Sequence, residues 1–105
     1  MWFGVSILSK SLHALEQPKA PLWEESIVIV EADSEEHAVR LATPLGQNQQ
    51  TSFSVGSRGD TVSWVFDSIL EVFTINDESL SSGTEVFSRF LTEDEVLSLK
   101  KPFDS

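Results

Sequence analysis

The chain has 105 residues, with 17 Asp and Glu against 7 Lys and Arg, for a formal net charge of −10. Its 40% hydrophobic and 10% aromatic content is too high for a disordered chain, and its length fits one domain, 1–105, around one core. The lack of cysteine excludes a disulfide framework and thiolate metal sites, and the acidic excess argues against nucleic acid, whose phosphates require clustered Lys and Arg.

Trp2 to Leu8 alternates as a strand, with Phe3, Val5 and Ile7 on one side and Trp2, Gly4, Ser6 and Leu8 on the other. Gly4 and Ser6 break its apolar character, so it is no secretory signal. No stretch reaches the roughly 20 apolar residues of a membrane span. The expectation is a soluble cytoplasmic protein without membrane contact. Lys10 to Pro21 is a connection holding Pro18 and Pro21, in which Leu12, His13 and Leu15 either form a helical turn or extend the first strand.

Leu22 to Ala32 is a second strand, whose Ile27-Val28-Ile29-Val30 run is apolar on both faces and predicts a central position in the sheet. Glu24 and Glu25 mark its end nearest solvent. A helix is predicted over Asp33 to Leu45. Asp33 or Ser34 caps it, Asp33 and Glu36 have capping-box spacing, and Glu35 and Glu36 suit the positive end of the helix dipole. Ala38, Leu41, Ala42 and Leu45 share its buried face, and Pro44 and Gly46 end it.

Thr51 to Val55 is a short strand, followed by a glycine-rich turn at Gly56 to Asp60 that reverses the chain. Thr61 to Ile75 is a long strand, apolar on both parities and therefore bent or bulged. After the polar loop Asn76 to Gly83, Thr84 to Leu91 alternates as a last strand. Thr92 to Lys100 is a second helix, with Thr92 and Glu95 in capping-box spacing, and with its tail forms the end of the domain, 92–105. The predicted order is β-β-α-β-β-β-α. It describes an α+β domain with an antiparallel or mixed sheet of about five strands, one helix on a sheet face and a C-terminal helix.

No catalytic set is legible. A nucleophile would have to be Ser or Thr, only His13 and His37 could act as its base, and no G-x-S-x-G elbow exists. Asp33 and His37 are four apart, but no further His-carboxylate pair completes a metal site. The loop at Asn76-Asp77-Glu78 lacks calcium-loop spacing. Gly56 to Thr61 lacks the Lys and the following helix of a phosphate cradle, and Arg58-Gly59-Asp60 reads as turn chemistry. No cofactor is expected. Asp67 and Glu71 stand about 13 Å apart along one strand, too far for a glycosidase pair. Arg89 is the one base against nine acids between Asp60 and Glu95. With Glu85, Phe87 and the indole of Trp64 it forms the candidate binding patch. The structural reading of the same residue is an ion pair with Asp67, Glu71 or Glu85 on a neighbouring strand.

Several segments carry a family resemblance. Trp2-Phe3-Gly4-Val5, Trp23-Glu24-Glu25-Ser26-Ile27, Glu31 to Ala38, Gly59 to Trp64 with Glu71-Val72, and Gly83 to Arg89 together resemble a small bacterial family of unknown function, domain of unknown function 4288. Phe87 departs from it by standing where Tyr is common. The resemblance implies a compact stand-alone cytoplasmic domain and brings no reaction, ligand or site residue. The charge and composition point to a non-enzymatic module that binds another protein through its acidic surface or an open sheet edge, with a homodimer also compatible. The alternative is a small-ligand or enzymatic site built on Glu85, Phe87 and Arg89 near Trp64.

Overall fold

The structure, a computed structural model, describes residues 1–13, 22–55, 60–76 and 79–100. Its elements are β1 (Trp2–His13), β2 (Trp23–Glu31), α1 (Glu35–Asn48), β3 (Thr51–Val55), β4 (Asp60–Ile75) and α2 (Glu93–Lys100). The strands form one antiparallel sheet in the order β2-β1-β4-β3. This is an α+β fold with α1 on one sheet face, as expected, but four strands replace the expected five. The turn at 56–59 and most of the connection before Leu22 lie outside the described residues.

The first strand runs on through His13, because its second half finds a partner in Val62 to Phe66 of β4. β4 is bulged twice against β1. Ser6 pairs with Glu71 but Ile7 with Ile69, and Leu8 pairs with Ser68 but Ser9 with Phe66, which leaves Leu70 and Asp67 as the extra residues. Each bulge resets the parity, which is how a strand apolar on both sides keeps Ile69 and Val72 toward one core. Beside the second bulge, the Phe66 N–H donates to Oε1 of Gln50, just past the end of α1, at 3.0 Å.

The core lies between α1 and the face of β1 that carries Phe3 and Val5, with Val30, Ala32, Ala38 and Ala42. The expected helix face is corrected here. Ala38, Ala42 and Gly46 are buried, whereas Leu41 and Leu45 remain half exposed. A seam of small residues brings the helix axis close to the sheet, and larger side chains are left on its flank. Gly46 therefore does not end the helix. A Cβ there would lie 2.7 Å from the Phe66 ring and 3.0 Å from Ile7. Pro44 does not end it either. It sits inside α1, which runs on to Asn48.

Of the two expected caps the structure uses Ser34, and the box partner is reassigned. Ser34 Oγ accepts the His37 N–H at 3.1 Å, while the imidazole Nδ1 of His37 accepts the Asp33 N–H at 3.0 Å. His37 thus takes the reciprocal place expected of Glu36, and Ser34, with its extended backbone, is the cap. At α2 the expected box is present. The Thr92 N–H donates to Glu95 Oε1 at 2.9 Å, and the Glu95 N–H donates to Thr92 Oγ1 at 3.3 Å. Among the described residues α2 packs against no other helix or strand.

Two expectations about the strands fail. Thr84 to Leu91 has no ladder partner, and β2 is an edge strand instead of a central one. Its apolar run is explained by the two faces: Val28 and Val30 turn toward the core, while Ile27 and Ile29 remain 38% and 40% exposed on the other.

Candidate functional site

The sheet face opposite α1 carries Gly4 and Ser6 of β1, with the residues paired to them: Ile29 and Ile27 of β2, and Phe73 and Glu71 of β4. The segment 84–91 lies over this face as an extended strap. It leaves the preceding turn through Gly83, whose φ of 92° favours glycine. The approach over β1 is close, since a Cβ on Gly4 would lie 2.5 Å from the carbonyl oxygen of Val86. Gly4 is thus the residue that lets the strap reach the sheet. Phe87 then meets Phe73 edge-on at 4.6 Å between ring centroids, and the Arg89 guanidinium lies 5.6 Å from the Phe87 ring centre.

Arg89 also reaches β2, where Nη1 stands 3.8 Å from Oε1 of Glu25. The other carboxylate oxygen of Glu25 accepts a 2.5 Å hydrogen bond from the hydroxyl of the fully buried Ser6. Glu25 therefore ties the strap, the edge strand and the central strand together. The structure pairs Arg89 with Glu25, and not with Asp67, Glu71 or Glu85. Nothing local in the sequence marks this pair, since 64 positions separate the two residues.

Of the four residues proposed as a patch, Phe87 and Arg89 come together. Glu85 is exposed on the same strap. Trp64 pairs with Ser11, whose parity on β1 is that of Phe3 and Val5, so its side chain belongs to the opposite face of the sheet. A groove of about 210 Å³ lies beyond Arg89, lined by Leu91 and by Glu95, Ser98 and Leu99. Hydrogen bonds from the Thr92 N–H and hydroxyl hold the Glu95 carboxyl below the ordinary glutamate range. No cluster of three or more metal-ligating side chains is present among the described residues. No helix among them is long and apolar enough to cross a membrane.

Sequence reasoning missed the outer edge of β2. Met1 and Ala32 exchange backbone hydrogen bonds at 3.1 and 2.8 Å, and the Ser11 N–H donates to Leu22 O at 2.9 Å. Bonded and non-bonded pairs alternate in an antiparallel ladder. The backbone groups of Trp23, Glu25, Ile27, Ile29 and Glu31 consequently point away from β1, toward the free edge. All five residues are exposed. The signal that could have found them is the short chain of charged residues at both ends of the apolar run, which suits an edge better than a centre.

No curated protein and no solved structure matches the chain. A family model does, over residues 2–88, which take in the whole sheet, α1 and the strap as far as Ser88, and the chain therefore belongs to the family described as domain of unknown function DUF4288.

Proposed function

We propose that this domain is a non-enzymatic protein-interaction module whose docking surface is β2, through its free edge and the outward side chains of Trp23, Ile27 and Ile29. One observation carries this reading. An edge strand of nine residues has outward backbone groups with no ladder partner among the described residues, beside half-exposed apolar side chains, Trp23 at 51%, Ile27 at 38% and Ile29 at 40%. The strand holds no Pro or Lys and its ladder with β1 has no bulge, and its charged residues, Glu24, Glu25 and Glu31, stand at its two ends, outside the apolar run. The opposite edge strand, β3, has only five residues.

The test is affinity capture from native cell extract at low and high salt, with the wild type and an Ile27→Lys/Ile29→Lys variant of unchanged circular dichroism. A protein partner held by the wild type and lost from the variant is the expected result. Equal recovery by both, or no partner at either salt, overturns the reading.

A small-ligand or enzymatic role for the strap is the second reading, favoured by the groove beyond Arg89. It takes Arg89 as the group that binds an anion, with Phe87 and Glu85 beside it and without Trp64. It requires a small anionic molecule whose binding Arg89→Ala abolishes and Ile29→Lys leaves intact.

A further inference from the structure

Resting on the reading of β2 as a docking edge, we infer that its occupant is an extended cationic segment of another protein, which joins the sheet as an added strand beside β2. The backbone supplies the frame. Outward N–H and C=O groups recur at every second residue from Trp23 to Glu31, the spacing an incoming strand needs to pair along its whole length. The side chains of these same residues supply the selectivity. From Glu25 to Glu31 they read Glu, Ile, Ile, Glu, and all project from the face that carries Ser6.

Side chains directly opposite one another on paired strands stand about 5 Å apart. An apolar residue on the incoming strand would therefore meet each of Ile27 and Ile29, and a Lys or Arg would meet each of Glu25 and Glu31. Glu25 already takes a guanidinium from the strap, Arg89 at 3.8 Å, while its other oxygen holds the Ser6 hydroxyl. The surroundings reinforce the sign. Six acids and no Lys or Arg fall between Glu24 and Glu36, and all six acids are exposed. Among the described residues the base placed at this edge besides Arg89 is Lys10, 5.5 Å from the Trp23 ring centre, at the opposite end from Glu31.

Charge also decides against a second copy as the occupant. Two copies bring a formal charge of −10 each, and antiparallel pairing of β2 with itself about Val28 sets Glu25 against Glu31. Like charges placed directly opposite destabilise a strand pair.

The experiment titrates the full chain with a fluorescent peptide that alternates threonine with lysine, isoleucine, isoleucine and lysine. Two control peptides carry glutamate for lysine, or N-methyl groups on the amides that would face β2. The lysine peptide is expected to bind about tenfold more tightly than the glutamate peptide. N-methylation and Ile29→Lys should each abolish binding, and hydrogen exchange should slow at Glu25, Ile27, Ile29 and Glu31. Equal affinity for the two charge forms, insensitivity to N-methylation, or protection at other amides overturns the inference. So does a chain that sediments as a dimer with these four amides already protected. If the peptides fail while Ile27→Lys/Ile29→Lys still loses captured partners, the cationic strand is refuted and the docking edge stands. If capture is unchanged by that variant, the docking edge itself is refuted.

Discussion

Glu25 stands between two partners of different kinds, with the buried Ser6 hydroxyl on one carboxylate oxygen and the Arg89 guanidinium 3.8 Å from the other. The two partners predict unequal costs. Arg89→Ala removes a partly exposed ion pair and is expected to cost less than about 1 kcal/mol. Glu25→Ala also leaves the Ser6 hydroxyl buried without an acceptor and is expected to cost about 1–3 kcal/mol. Urea unfolding of both variants measures the difference, and equal losses would contradict the assignment.

The strap depends on Gly4 in the same local way. Gly4→Ala places a methyl group against the Val86 carbonyl, which belongs to the backbone and cannot rotate aside. The expected loss is about 1–3 kcal/mol, with amide shifts concentrated at 84–90 and at Phe73. Unchanged spectra at Val86 and Phe87 would show that the strap does not lie on β1.

Gly46 tests the seam between α1 and the sheet. Alanine gains up to about 1 kcal/mol in helix propensity, yet its methyl group meets the Phe66 ring and the fully buried Ile7. Overpacking costs of about 1–3 kcal/mol exceed that gain, so Gly46→Ala should lower the urea midpoint. A raised midpoint would mean that helix and sheet are not in close contact at this point.

The Thr92–Glu95 box predicts a pH effect confined to α2. The folded Glu95 carboxyl titrates below its unfolded value because Thr92 donates to its charged form. Its contribution to the helix is therefore complete above the ordinary glutamate range and is lost as pH falls through the depressed value. Helical chemical shifts over 93–100 should weaken in that acid window, and Thr92→Ala should weaken them at neutral pH. The unfolding free energy of the sheet should change by less than about 0.5 kcal/mol with Thr92→Ala, since among the described residues α2 packs on no other helix or strand. Loss of helix and sheet together would reveal contacts between them.

Much of this fold is legible in the residues because the features involved are local. The strand alternation of Phe3, Val5 and Ile7, the first turn of α1, the bulging of β4 and the box at Thr92 all rest on neighbours within a few positions. Thr84 to Leu91 misleads for the same reason, since alternation describes an extended chain and not the ladder it joins. The Ile27 to Val30 run signals two apolar faces but not whether a second strand covers its outer edge. Of the proposed patch, Phe87 and Arg89 meet because both lie on the strap, while Trp64 is carried to the other face by the pairing of β4 with Ser11.

The sequence by itself determined four of the strands, both helices, the box at Thr92, the acidic charge and the absence of thiol chemistry, because each depends on composition or on spacing along a few turns of chain. Only the tertiary structure decided that β2 is an edge, that Gly46 is a packing residue, that the strap crosses Gly4 and that Arg89 meets Glu25. These relationships join residues far apart in the chain. The order of strands and the approach of one element to another set them, and no local periodicity carries that information.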